Sequence, residues 1–329
     1  MTEDGDNRTP STFEIDNCRR IVLSAIEKYK PKIIILLGGV AVYSIIGHRW
    51  KKELGTISKW RGWTIPDQDF KAWICPVYHP SFVERSKQNK YGEPIENPVE
   101  EVIWKQDLQN AFACLKKEFP IHQEPEIEII EDLTELEYWK LGQTKVHITP
   151  RRIVFDYETT GLKPHAPGHR IVCASIAASE NHAYVFMMPE TRKERKPFID
   201  LLTDELIEKI AQNMKFEHSW SKKKLRVEVK GWKLDTMLVT HCLDNRPGVT
   251  GLKFQIYVQF GIVDYDSEIA PYLQAIDPTN ANSLNRIDEL LALPGGKEKL
   301  LKYCGYDSVY EFRLAKLQEK IIENAELPF

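Results

Sequence analysis

Between Arg151 and Met188 three short runs, RRIVFDYE, HRIVCASIAAS and HAYVFMM, are dense in Val, Ile and aromatic residues. Runs of that length and composition read as strands rather than helices, so this stretch has to build a sheet. Beyond Met188 the chain reads as helical segments separated by the turns RPGVTG and LPGG. Strands first and helices afterwards give an α/β domain with a mixed sheet. The earlier half has one strong strand, KIIILLGG, after a segment with helical spacing, FEIDNCRRIVLSAIEKYK. A second apolar run, AWICPVYHPSFV, ends at a His-Pro turn, and GTISKWRGWTIPDQDF between them has the Gly, Pro and Asp of irregular loop. The boundary is expected near Pro120, giving domains 1–120 and 121–329.

The 329 residues are enough for two domains, each with its own core. At 42% hydrophobic and 28% charged, the composition is that of a soluble globular protein. The longest apolar run is broken by Gly38 and Gly39 and is too short to span a bilayer, and no secretory signal is visible. Six scattered cysteines without a CxxC pair read as reduced thiols, so a cytoplasmic location is expected. A net charge of −3 excludes a polycation that coats nucleic acid, and any nucleic-acid site must be local.

The first of the three strand runs ends in two acids, Asp156 and Glu158. Side chains alternate along a strand, so both project from one face while Tyr157 points to the other. Like charges that close need something positive between them, and a divalent ion such as Mg²⁺ or Mn²⁺ suits carboxylate oxygens. Alone, the pair reads equally as acids solvated at a strand end. AQNMKFEHSW adds Asn213, Phe216 and Glu217, and LLKYCGYDSVYEF sets Tyr303 four residues before Asp307, one helical turn apart on one face. Each of these, by itself, also reads as an ordinary amphipathic helix.

Taken together and in this order, FDYETTGL, QNMKFE and YCGYD resemble the three motifs of the 3'-5' exonuclease domain of family A DNA polymerases. That domain belongs to the DEDD superfamily with a ribonuclease H-like fold, in the subtype that uses tyrosine. GWKLDTMLVTHCLDN and TGLKFQIYVQFG are similar to its connecting helices, so the resemblance covers Glu126 to Asn324. One departure is that Glu217 stands where the second motif usually has Asp. The resemblance implies two divalent ions, Mg²⁺ or Mn²⁺, held by Asp156, Glu158, Glu217 and Asp307. Such a pair stabilises the attacking and leaving oxygens of a displacement on phosphorus, and Tyr303 orients the attacking water. The implied product is a 5'-mononucleotide released from a single-stranded DNA 3' end. Thr159, Leu162 and Asn213 match positions that contact the terminal nucleotide; a strand-end cap for Thr159 and a helix cap or turn for Asn213 are the competing readings. SKKKLR reads as a solvated charged face or a phosphate contact, and Trp220 and Trp232 as core or base-stacking residues.

In the first half, NRTPSTFEIDNC, KPKIIILLGGVAVYSIIG, SKWRG and VYHPSFV resemble the later portion of a family 4 uracil-DNA glycosylase. His79, Pro80 and Ser81 match the loop that meets the flipped base, which makes His79 a candidate binding residue. The family's water-positioning motif and first iron–sulfur cysteines would lie upstream of Asn7. Cys18 matches one cluster ligand at most, so no iron–sulfur cluster is expected. A truncated glycosylase-like module is the leading expectation here, ahead of a plain structural α/β domain and of an active glycosylase.

These resemblances imply a metal-dependent 3'-5' exonuclease that proofreads in DNA replication, as part of or beside a DNA polymerase. Such an arrangement is associated with family A polymerases of bacterial viruses. The alternatives are a nucleic-acid-binding or polymerase-bracing module whose nuclease has lapsed, with Glu217 as its first sign, and an RNA-trimming exonuclease. No membrane partner is expected.

Overall fold

The two-residue period of RRIVFDYET decides where its acids go. In the computed structural model it forms a strand, Arg152–Thr159, whose Ile153, Phe155 and Tyr157 enter one apolar core. The alternate residue Val154 packs on the other face with Ala315 of the long C-terminal helix Gly296–Asn324. Asp156 and Glu158 share that face. The structure describes residues 8–143 and 150–324. They form two compact units, one from the chain up to His122 together with Arg246–Asp264, the other from Gln123–Asn245 together with the chain from Tyr265 onward.

The nine strands among the described residues are numbered in chain order. The first unit holds β1 (Ile33–Leu37), β2 (Ile65–Asp67) and β3 (Ala72–Val77), in the order β1-β3-β2. β1 lies parallel to β3, and β2 antiparallel to it. The strand expected as KIIILLGG stops at Leu37, because Gly38 takes φ +81° and turns the chain into the helix Gly38–Val42. GTISKWRGWTIPDQDF, expected as irregular loop, contains the short helix Ile57–Trp60 and β2. Burial of Trp60 and Ile65 together with β2–β3 pairing overrides its Gly and Pro content. Asn7, the first residue of NRTPSTFEIDNC, lies outside the described residues.

The core of this unit is aromatic. Helix Leu252–Phe260 places Phe254 edge-on to Trp60 with centroids 5.1 Å apart, and stacks Tyr257 on Trp50 at 5.8 Å. Beneath these rings the Tyr257 hydroxyl donates to Asp67 Oδ2 at 3.2 Å, and Asp67 also accepts from Arg49.

The second unit is built on a six-stranded mixed sheet in the order β4 (Glu126–Ile129), β7 (His182–Met187), β6 (Ile171–Ala177), β5 (Arg152–Thr159), β8 (Glu208–Ala211), β9 (Trp232–Asp235). β5 runs antiparallel to β6 and parallel to β8, and β4 runs parallel to β7. One face carries the core of Phe155, Tyr157, Phe198 and Trp220, and Trp232 packs against it half-buried; Trp220 is therefore a core residue. Helix Gly296–Asn324 crosses the other face, with Tyr303 and Cys304 packed near Val172 and Cys173 of β6. Both units are α/β, the first on a three-stranded and the second on a six-stranded mixed sheet. Among the described residues no helix is long and apolar enough to cross a membrane.

Candidate active site

Three elements bring acids to the helix-covered face of the sheet. β5 delivers Asp156 and Glu158 near its end, helix Lys215–Trp220 delivers Glu217 from its first turn, and helix Gly296–Asn324 delivers Tyr303 and Asp307. Glu158, Glu217 and Asp307 are buried and Asp156 is half-buried. Oxygens of Asp156 and Glu158 and the Cys304 sulfur all lie within 4.8 Å of one another.

The electrostatics are those of crowded negative charge. Burial pushes the Glu217 carboxyl well above the usual carboxylate range, and Asp156 and Asp235 push it further. Its Oε2 is buried and has no hydrogen-bond partner among the described residues. Burial, then the charges of Asp307 and Glu158, also raises the Tyr303 phenol, which keeps its proton at neutral pH.

A fifth carboxylate joins this set. Glu311 lies one turn beyond Asp307 on the same helix and is buried. Burial raises its carboxyl well above the ordinary value, and Glu217, Asp156 and Asp307 add to the shift. The Thr236 hydroxyl points between Gln212 Oε1 at 2.5 Å and Glu311 Oε1 at 3.4 Å. The sequence held a signal for Glu311, since Tyr303, Asp307 and Glu311 recur every four residues on one helical face.

Two further residues hold the acids in place. The Tyr265 hydroxyl donates to Asp307 Oδ1 at 2.6 Å. Asp235, at the end of β9, accepts from both ends of its surroundings. Its Oδ1 takes the N–H of Asn213 at 3.0 Å and those of Met237 and Leu238 at 3.0 and 3.3 Å, while Oδ2 takes Met214 N–H at 2.9 Å. One carboxylate thus caps its own helix and fixes the turn that leads to Glu217. That turn needs fixing because Asn213 sits at φ +64°, in the left-handed region. The pairing of a strand-end Asp with Thr at a helix start, LDTM, was the available signal for Asp235; Tyr265 had none in sequence.

Beside the acids lies a cavity of about 260 Å³, lined on one side by Glu158, Thr159, Leu162 and Phe216. Its opposite wall is a loop carrying Asn280 and Asn285. Asn285 anchors that loop by donating Nδ2 to the Thr159 carbonyl at 2.8 Å and its main-chain N–H to the Thr160 carbonyl at 2.9 Å. Gly161 permits this approach, since a Cβ there would stand 2.2 Å from the His169 ring. The Thr159 hydroxyl donates to the Gly161 carbonyl at 2.7 Å, and Leu162 stays exposed. His79 lies in the other unit, where its Nδ1 accepts from Ser81 N–H at 3.1 Å and caps helix Pro80–Ser86.

The donor set fits a hard divalent cation. Every donor except Cys304 is a carboxylate oxygen, and the buried Glu217 Oε2 lacks a hydrogen-bond partner among the described residues. Burial and neighbouring acids raise Glu217 and Glu311, so a cation bound among these acids would favour their ionised forms.

Two family models match this chain. The uracil DNA glycosylase superfamily covers residues 2–103, and the 3'-5' exonuclease covers residues 127–322. A curated relative, type-4 uracil-DNA glycosylase of Thermotoga maritima, is 30% identical over 113 residues, which are 34% of this chain and 52% of the relative. The chain thus spans about half the length of that relative. Among solved structures it is similar to Brucella melitensis NrnC with bound Mg²⁺ (18% identity, TM-score 0.43, 61% of this chain and 83% of that one). It is also similar to the Trypanosoma brucei RNase D–GMP complex (15%, 0.45, 61% and 58%). Escherichia coli RNase D, described as an exoribonuclease involved in structured RNA processing, is a further neighbour (13%, 0.42, 61% and 46%). With its exonuclease model spanning more than half of the residues, the chain belongs to the 3'-5' exonuclease family.

Proposed function

We propose that this protein removes 5'-mononucleotides from the 3' end of single-stranded DNA, in a proofreading role in DNA replication as part of or beside a DNA polymerase. The observation that carries the reading is the crowding of Asp156, Glu158, Glu217 and Asp307, with neutral Tyr303, at the rim of a cavity of nucleotide scale. Asp156, Glu158, Glu217 and Asp307 would hold two divalent ions, Mg²⁺ or Mn²⁺, which when bound supply charge stabilisation at the reacting phosphate. Tyr303 orients the attacking water by donating or accepting at its phenol oxygen. Thr159, Leu162 and Phe216 receive the terminal nucleotide, and the loop anchored by Asn285 limits how much of the strand enters. Glu217 in place of the shorter Asp reaches the same acids with one more methylene, which fits its burial against Asp156.

The test is digestion of 5'-labelled single-stranded oligonucleotides with Mg²⁺, on matched DNA and RNA. The wild type should shorten DNA one nucleotide at a time and Asp156→Ala should not. Equal activity of Asp156→Ala overturns the site, and a clear preference for RNA overturns the substrate while leaving the nuclease standing.

A further inference from the structure

The basic run SKKKLR takes no part in the acid site, yet it ends in a second cavity, of about 270 Å³. Arg170, Arg195 and Lys224 stand in its wall with one acid, Glu190, while Met187 and Leu225 supply apolar surface. The Arg192 guanidinium reaches the same rim, donating from Nη1 to the Leu225 carbonyl at 3.4 Å. We propose that this cleft binds backbone phosphates of the single-stranded substrate a few nucleotides upstream of its 3' end.

Two connections join the cleft to the nucleotide cavity. Helix Lys215–Trp220 continues into the turn Ser221–Leu225, so that Phe216 lines the first cavity and Lys224 the second. Eight helical residues rise roughly 10–12 Å, a distance that about three stacked nucleotides of about 3.4 Å each would span. The other connection is main-chain. Next to Thr159, which lines the first cavity, Thr160 N–H donates to the Arg170 carbonyl at 3.1 Å and Arg170 N–H donates to Thr160 Oγ1 at 2.9 Å.

The charges suit a chain of phosphates. Burial, then the neighbouring Lys223, lowers the Lys224 ammonium from its ordinary value, a shift that a bound anion would oppose. Burial lowers Arg195 as well, against Glu194 and Glu190. Arg170 already pairs with Asp288 and Glu190 offsets one charge, so Lys224, Arg192 and Arg195 carry the attraction. Exposed Lys222, Lys223 and Arg226 extend the positive charge beyond the cavity. A track of cations longer than one cavity fits successive phosphates of a strand better than a single free nucleotide.

The proposal rests on the exonuclease reading, which puts the 3' end in the first cavity, but its test does not depend on cleavage. Binding of a 5'-labelled octathymidylate to the full chain is measured by fluorescence anisotropy in chelator over a salt series. Lys224→Gln should weaken binding about five- to tenfold at low salt and reduce the slope of log Kd against log salt by about 0.7, the value of one single-strand phosphate contact. Thymidine 5'-monophosphate, which fills only the first cavity, should bind the variant as it binds the wild type. Unchanged octamer affinity and slope in Lys224→Gln, or no octamer binding by the wild type at low salt, overturns the proposal. An equal loss of affinity for the mononucleotide also overturns it, because the cleft would then take a free nucleotide. Circular dichroism reports folding, and the same measurement on Arg192→Gln, an exposed position, decides if Lys224→Gln does not fold. Octamer binding as expected by a chain that cleaves nothing would sink the exonuclease reading and leave the phosphate cleft standing.

Discussion

The Tyr265 hydroxyl donates a 2.6 Å hydrogen bond to Asp307 Oδ1, so one of the proposed metal ligands is held by a residue far from it in sequence. Burial, with Asp307 beside it, raises the Tyr265 phenol well above its ordinary value, and it remains a donor. Tyr265→Phe keeps the ring packed against Tyr310 and removes only the hydroxyl. Loss of a hydrogen bond to a charged acceptor costs about 2 kcal/mol of stability. A ligand left unoriented costs about 10- to 100-fold in metal affinity or activity. Thermal unfolding and the Mg²⁺ dependence of kcat check both; a variant with wild-type Mg²⁺ dependence shows that Asp307 orients itself.

Asp235 offers a sharper substitution. In Asp235→Asn the retained oxygen can still accept from Asn213, Met237 and Leu238, but an amide NH₂ would face the Met214 N–H, donor against donor. The helix cap survives while the turn before Glu217 loses its anchor. Stability should fall by about 1–2 kcal/mol. The effect on kcat should be about tenfold or more, with KM little changed. Asp235→Ala, which loses the cap as well, should be less stable than Asp235→Asn. If the two variants match in both stability and kcat, the turn does not depend on this carboxylate.

How much of the fold and site was legible in sequence depends on which interactions are local. Asp156 with Glu158, and Tyr303 with Asp307, share faces because strand and helix periods are set by backbone geometry alone. Glu311 obeys the same helical period and was readable in principle. Tyr265 and Asp235 were not singled out because their partners, Asp307 and the Asn213–Met214 turn, meet them only after the chain has folded. TGLKFQIYVQFG reads along the chain as one of the exonuclease's connecting helices, yet its Phe254, Tyr257 and Val258 complete the aromatic core around Trp50 and Trp60 of the first unit. Local pattern could show that this helix has apolar side chains to bury, and not which core would take them.

The buried acids set the pH dependence. Glu217 and Glu311 have folded-state values raised well above 4.5. Below that value both folded and unfolded chains keep these protons; as pH rises past it, the unfolded chain releases them while the folded chain holds them. The folded state then binds more protons, so stability contributed by these sites falls with rising pH until the folded-state values are passed. In chelator, Glu311→Gln removes one such group, and its Tm advantage over wild type should grow between about pH 5 and about pH 8. Mg²⁺ favours the ionised acids, so its stabilisation of the wild type should increase over the same range. A Tm difference between variant and wild type that stays constant across this range would contradict the charge crowding.

The segment Arg246–Asp264 is packed as part of the first unit's core. Gly261 takes φ +74° and its missing Cβ would lie 1.7 Å from the Pro66 carbonyl oxygen, so Gly261→Ala must both strain the backbone and push β2 aside. Phe254→Ala would empty the space between Trp60 and Trp63, at a cost of about 3–5 kcal/mol. A fragment ending at His122 lacks Phe254 and Tyr257 altogether, and with Tyr257 it loses the hydroxyl that donates to the buried Asp67. Leaving that polar cluster and the faces of Trp50 and Trp60 open to water costs more than a unit of this size can spare. The fragment should therefore show no cooperative unfolding by circular dichroism, while the full chain should; a cooperative transition in the fragment would mean that the first unit builds its core without this helix.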